Sequence, residues 1–293
     1  MCAPRDRNKR KLVIRMEDDA NHCWTCTWRA RSLAPLLKRF ASRSDFDRYL
    51  DTFMSEDARG FWRDKDDEEV ERPPIALPLD FQLLAIADDR NPDTRSLLRY
   101  SASRDLTDHD MWYYRLGRSD EIRWSRRLLM PSFDAAGNLN YLVGRAVDRQ
   151  AQRYENDDID KTGIVFNELN IDWKQRLVLC EGPFDLVKCG ENATCLLGNS
   201  LNENHLLFDR IISNDTPVAL ALDTNAIDNA LWIAKKLIEY DVDVVIVDLG
   251  KFKDPGEMTK KQFKDALEYA KPYNWLMNFR HRMEKASRVT LSS

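Results

Sequence analysis

The sequence has no apolar run approaching the roughly 18 residues that cross a bilayer, so no helical membrane span is expected. No apolar stretch follows the basic opening MCAPRDRNKRK, which is therefore not expected to act as a secretory signal. Cysteine is sparse, six residues in 293, and only Cys23 and Cys26 form a CxxC pair. A disulfide framework is not expected, and a reducing cytoplasm is the expected compartment. No GxxxxGK[ST] phosphate loop occurs, which argues against an ATP-driven motor of that type. No Ser/His/Asp arrangement is visible, and His109 and His205 stand alone. Internal repeats and low-complexity segments are also missing.

What is present is charge. Charged residues make up 32% of the chain against 43% hydrophobic, a composition that reads as globular with a strongly charged surface. The net charge of −4 hides its distribution. Positive residues collect in Arg5, Arg7, Lys9, Arg10 and Lys11, and again in Arg115, Arg118, Arg123, Arg126 and Arg127; negative ones collect from Asp64 to Glu71. Any one such run is ordinarily a solvated face. Two basic clusters beside a carboxylate-rich site point instead to a polyanionic partner handled with metal ions.

Five segments are expected. Residues 1–40 carry the CxxC pair between a strand (Lys11–Met16) and a helix (Leu33–Phe40). Residues 41–74 read as a helix and a linker ending in Pro73–Pro74. Residues 75–175 mix short helices with a hairpin, Leu128–Phe133 and Leu139–Val147 around the turn Asp134–Gly137. Residues 176–275 alternate short buried apolar runs with helices, and 276–293 form a basic tail. The alternation predicts an α/β fold whose parallel sheet is covered on both faces, preceded by α+β parts.

On that map Glu181 follows the strand Leu177–Cys180, and Asp185 opens the next helix. Asp223 follows the strand Val218–Leu222, with Asn225 and Asp228 just beyond. Asp248 closes the strand Val242–Val247, and Asp254 lies in the loop after it. Sites in open parallel sheets form beyond the carboxyl ends of the strands. Oxygen-only donors there suit Mg²⁺ or Mn²⁺. Taken singly, each acid is as well explained as a loop residue or a helix cap.

Leu177-Val-Leu-Cys-Glu-Gly-Pro-Phe-Asp185 resembles the EGxxD motif of the TOPRIM domain, Leu222-Asp-Thr-Asn225 its DxD motif, and Lys253-Asp-Pro-Gly-Glu257 the DP loop of primases. The hairpin from Arg126 to Arg145, ending in Gly-Arg, and Arg104–Asp110 with Tyr114–Gly117 are similar to the segments upstream of TOPRIM in bacterial and bacteriophage primases. The resemblance covers about residues 95–260. It implies a TOPRIM-type sheet, magnesium (or manganese) held by Glu181, Asp185 and Asp223, and synthesis of short RNA primers on single-stranded DNA from ribonucleoside triphosphates. Asn225 departs from the pattern, standing where a second aspartate is usual; its amide oxygen can ligate but adds no charge, and Asp228 is a candidate to compensate.

By the same resemblance Arg126, Arg127, Arg145, Arg149 and Lys161 would line a groove for template and triphosphates, although arginines at a rim can equally serve solubility. His22–Trp28 looks like the second knuckle of a primase zinc ribbon, with Cys2, Cys23 and Cys26 as zinc ligands and the fourth either His22 or, the preferred reading, a cysteine upstream of an internal start. Cys180, Cys189 and Cys195 read as buried apolar residues. A separate hexameric helicase is the implied partner, and the host cytoplasm the implied location if the chain is phage-encoded. Rival readings are a TOPRIM nuclease and a non-catalytic DNA-binding adaptor of the replisome; a topoisomerase would need a large domain with a catalytic tyrosine.

Overall fold

The structure, a computed structural model, describes residues 12–15, 17, 19–23, 29–30, 32–41, 43–55, 75–148, 152–157, 159–198, 200–202, 205–274, 276–277 and 283. The chain divides into two compact units, Met1–Pro74 and Ile75–Ser293.

In the first unit, β1 (Leu12–Ile14), β2 (Asn21–Cys23) and β3 (Arg29–Ala30) form an antiparallel sheet. Helices α1 (Ala34–Phe40) and α2 (Arg43–Phe53) pack through Ala34, Phe46, Tyr49 and Leu50.

The second unit holds two sheets. The first is antiparallel in the order β4 (Gln82–Leu83), β5 (Gly117–Arg118), β6 (Arg127–Phe133), β7 (Leu139–Ala146) and β8 (Tyr154–Asn156). Its central hairpin closes at Asp134, whose carboxylate accepts the amides of Ala136 and Asn138, and at Gly137, which takes φ +86. Only a residue without Cβ adopts that angle freely. Helices α3 (Pro92–Ser103) and α4 (Asp108–Tyr113) belong to this part. Asn91 caps α3, and Thr107 with Asp110 forms a capping box on α4. The segment Arg104–Asp110, similar to a helix in the resemblance, is mostly the turn between these two.

The second sheet runs β10 (Ala193–Cys195), β9 (Leu177–Cys180), β11 (Val218–Leu220), β12 (Val244–Ile246) and β13 (Lys271–Pro272). The first four are parallel, and β13 adds an antiparallel edge that the sequence pattern did not suggest. Helices α5 (Pro183–Leu186), α6 (Leu206–Asn214), α7 (Ile227–Ile238) and α8 (Lys260–Glu268) complete it. The helix expected over Phe184–Gly190 is thus a single turn.

Successive residues of a strand face opposite ways. Leu177 and Leu179 enter one core with Ile211, Leu220 and Ile233. Val178 and Cys180 enter another with Ala219 and Val245, and this core runs on into Leu97, Leu128, Met130 and Tyr141 beneath the antiparallel sheet. A buried polar seam joins the sheets as well: the Asn167 amide donates to Ser132 Oγ at 2.8 Å, Asn167 Nδ2 to the Ala193 carbonyl at 3.1 Å, and Thr194 Oγ1 to the Phe166 carbonyl at 2.6 Å. Such fully paired seams fix register where apolar contact alone would allow sliding.

Candidate metal and nucleotide site

The carboxyl ends of β9 and β11 deliver Glu181 and Asp223 side by side, because the two strands are neighbours in register. The Asp223 amide donates to Glu181 Oε1 at 3.2 Å. Gly182 and Pro183 start α5 immediately after β9, which places Asp185 in the first turn of α5. The loop after β12 returns to the same place: its Lys253 carbonyl accepts the Thr224 amide at 2.9 Å, next to Asp223. Lys253 and Glu257 close that loop, the Lys253 amide donating to Glu257 Oε2, while Asp254 Oδ1 accepts the Glu257 amide.

Gly256 is where these pieces converge. A Cβ there would stand 2.5 Å from Asp185 Oδ1, 2.9 Å from Arg104 Nη2 and 3.1 Å from Asp254 Oδ1. The glycine is required by close approach, not by its backbone angles.

Electrostatically the site is overloaded with negative charge. Burial, then Asp254 and Asp223, push the Asp185 carboxyl up to about 7, against the pull of Arg145 and Arg104. Burial and Asp223 raise Glu181, and burial and Asp254 raise Asp223. One oxygen of Asp223, Oδ1, is buried without a hydrogen-bond partner. Carboxylates that raise one another and leave a buried lone pair unused fit a hard divalent cation, whose charge would reverse the repulsion. Among the described residues no three His, Cys, Asp or Glu side chains already form a cage. Magnesium takes only a few carboxylates and completes its shell with waters and substrate phosphates.

Asp254 stands in the cluster, and Asp248 does not: Asp248 is exposed and its Oδ1 accepts the Gly250 amide, and it is not among the charges shifting the other three carboxylates. Asn225 and Asp228 are exposed beyond Asp223.

The basic residues need correction. Arg126 and Arg127 were expected to line a groove beside the metal site. Arg126 bridges Asp93 and Asp148, and Arg127, 6% exposed, donates to the Gln152 carbonyl. Arg118 pairs with Asp120, and Arg123 with Glu155. Three arginines of the second basic cluster are thus paired with carboxylates, whereas Arg115 lies over the Phe133 ring and donates to the Tyr113 carbonyl. Lys161 is exposed and donates to the Leu197 carbonyl. Arg145 does reach the site. It is 5% exposed, its guanidinium lies over the rings of Tyr154 at 5.1 Å, Phe184 at 5.5 Å and Tyr100 at 5.8 Å, and it acts on Asp185. Arg104 reaches it too and was missed as a site residue; its place at the end of a helix carries no signal of what lies across the turn.

Arg149, Cys2 and Cys26 lie outside the described residues, as does most of 276–293. Cys23 is buried at the end of β2. Cys180, Cys189 and Cys195 are buried free thiols, as expected. Among the described residues no helix is long and apolar enough to cross a membrane.

No protein-family model matches this chain. Among curated proteins it is similar to the DNA primases of Staphylococcus aureus strains COL and MRSA252, 23% identical over 157 residues in each case. The match takes in 50% of this chain and 26% of each relative, so the chain aligns with about a quarter of their length. Among solved structures it is similar to the DnaG primase catalytic domain bound to ssDNA (TM-score 0.53, 18% identity, 63% of this chain and 74% of that one). It is also similar to the RNA polymerase domain of Mycobacterium tuberculosis primase DnaG (TM-score 0.51, 14% identity, 63% and 79%). At these identities the likeness establishes the fold: a mixed α/β body of the DnaG catalytic-core type, TOPRIM sheet included.

Proposed function

We propose that this chain, a protein of the bacterial DNA-primase type, synthesises short RNA primers on single-stranded DNA. The observation that carries the reading is the convergence of Glu181, Asp185 and Asp223 at the carboxyl edge of a parallel sheet, with Arg104 and Arg145 beside them. In the reaction the 3′-hydroxyl of one ribonucleotide attacks the α-phosphate of the next triphosphate, and pyrophosphate leaves. Bound Mg²⁺ or Mn²⁺ supplies the Lewis acidity that activates the hydroxyl and offsets charge on the leaving group. Glu181, Asp185 and Asp223 are the residues offered to it, and Asn225 adds a neutral amide oxygen. Arg104 faces the triphosphate as a counter-charge. Arg145, walled in by aromatic rings, favours the ionised form of Asp185 against burial and the neighbouring acids. No protein nucleophile takes part.

Cys2, Cys23 and Cys26 are the ligands offered to zinc, and a separate hexameric helicase is the partner this activity calls for. Template, labelled ribonucleotides and Mg²⁺ test the reading directly. Glu181→Gln should abolish primer synthesis while DNA binding stays within about twofold of wild type; full synthesis by this variant refutes the metal assignment. Asn225, where a carboxylate is usual, is the feature that favours a non-catalytic DNA-binding adaptor. Wild-type protein that binds template and makes no primer selects that reading, and cleavage of the template selects a nuclease.

A further inference from the structure

Arg104 reaches the acidic site from another part of the fold, so something must hold the turn that carries it. Arg104 ends α3, and Asp105 follows with φ +54. Left-handed backbone is uncommon outside glycine, although Asp tolerates it better than most residues. Two local backbone bonds close the turn, from the Asp105 amide to the Ala102 carbonyl and from the Leu106 amide to the Ser101 carbonyl, both at 3.0 Å; they end the helix but do not tie the turn to the acidic site.

The contact that ties it there comes from the metal-site side. Lys188 lies three residues after Asp185, and its amide donates to the Asp185 carbonyl at 2.9 Å. Its side chain is 4% exposed, and Nζ donates to both the Asp105 carbonyl at 3.3 Å and Asp105 Oδ2 at 3.2 Å. A lysine is almost never so buried without a specific partner, and here the partner carboxylate is itself 65% exposed. A solvent-facing carboxylate gives little net stability to a buried ammonium. The pair is therefore poorly explained as a stabilising ion pair. It is well explained as a geometric lock, because Nζ grips the backbone carbonyl of the strained residue as well as its side chain.

We propose that Lys188 is a positioning residue: by clamping the left-handed turn at Asp105 it aims Arg104 at Asp185 and Asp254, where the triphosphate is received. This deepens the primase reading and rests on it for the identity of the ligand. Lys188 touches no substrate. It acts through Arg104, and the sequence motif around Glu181 and Asp185 assigns it nothing.

The test reads equilibrium binding of Mg·ATP to the full chain, together with Mn²⁺ binding by electron paramagnetic resonance without nucleotide. Lys188→Met should weaken Mg·ATP binding about tenfold, the scale of lost supporting contacts around such sites. Mn²⁺ affinity should be unchanged or tighter, since a guanidinium turned away no longer opposes the cation. Arg104→Met should weaken nucleotide binding to a similar degree, and the double variant should be no worse than Arg104→Met alone. Asp105→Asn, which keeps the left-handed turn and removes the carboxylate, should shift binding in the same direction and guards against a misfolded Lys188→Met. Unchanged nucleotide affinity in Lys188→Met, multiplicative losses in the double variant, or weakened Mn²⁺ binding would each overturn the lock. Wild-type protein that binds Mg·ATP and makes no primers sinks the polymerising function while leaving the lock standing.

Discussion

Replacing Asp185 with asparagine sets the proposed role of this carboxylate against its effect on the fold. Burial and the neighbouring carboxylates of Asp254 and Asp223 bring its carboxyl up to about 7. In the unfolded chain an aspartate ionises near 3.9, and each unit of separation is worth about 1.4 kcal/mol. Three units set a ceiling of about 4 kcal/mol; because the side chain is partly exposed, solvent screening reduces this to roughly 1–3 kcal/mol. The direction follows from which state holds the proton longer. The folded state does, so the neutral acid's advantage is complete below about pH 4 and is lost as pH rises through about 7. Above that, ionised Asp185 destabilises the metal-free fold. Asp185→Asn has no proton to lose. In EDTA at pH 8 it should melt above wild type by roughly 3–10 °C for a body of this size, with the gap closing toward pH 4. Millimolar Mg²⁺ should raise wild type and leave the variant where it is, because binding to the folded state alone stabilises it. Thermal unfolding followed by circular dichroism at several pH values reads all of this. Equal melting at pH 8 in EDTA, or an equal response of both proteins to Mg²⁺, refutes the reasoning.

Gly256→Ala should be costly out of proportion to one methyl group, since its Cβ would stand 2.5 Å from Asp185 Oδ1. We expect a stability loss of roughly 1–3 kcal/mol and at least tenfold weaker Mn²⁺ binding, measured by denaturant titration and electron paramagnetic resonance. Arg126→Gln releases Asp93 and Asp148. Because the groups are partly exposed, it should lower stability by about 1 kcal/mol and leave single-stranded DNA affinity within twofold; a tenfold loss in a fluorescence anisotropy titration would return Arg126 to the groove.

Much of the parallel sheet was legible because its signal is local. Leu177–Cys180 reads as a buried strand from four apolar residues, and the structure ends β9 at the same residue. Glu181 follows directly, and Asp223 comes three residues after the end of β11, which stops at Leu220 and not at Leu222 as expected. The antiparallel hairpin was equally plain in its Asp-Ala-Ala-Gly turn. The helix after Asp185 was overestimated: Val187, Lys188 and Cys189 have helical character in sequence, yet the chain must turn at Gly190, φ +94, to enter β10.

What spacing could not supply was which loops meet. Asp248 and Asp254 are both acids that follow β12, two and eight residues past its end. The bond from the Thr224 amide to the Lys253 carbonyl carries the second to the site and leaves the first in solvent. Arg126 and Arg145 likewise look alike at the two ends of one hairpin. Arg126 found two carboxylates, and Arg145 found three aromatic rings and Asp185.

From sequence alone came the central hairpin, the alternation of strands and helices in the parallel sheet and the acids that follow its strands, since periodicity and adjacency are properties of a few neighbouring residues. Tertiary structure decided the partners of Arg126, Arg145 and Lys188 and the approach of Gly256 to Asp185, because those depend on contacts between segments far apart in the chain. A charge read in sequence has a sign and no address; folding gives it one through burial and the groups it meets.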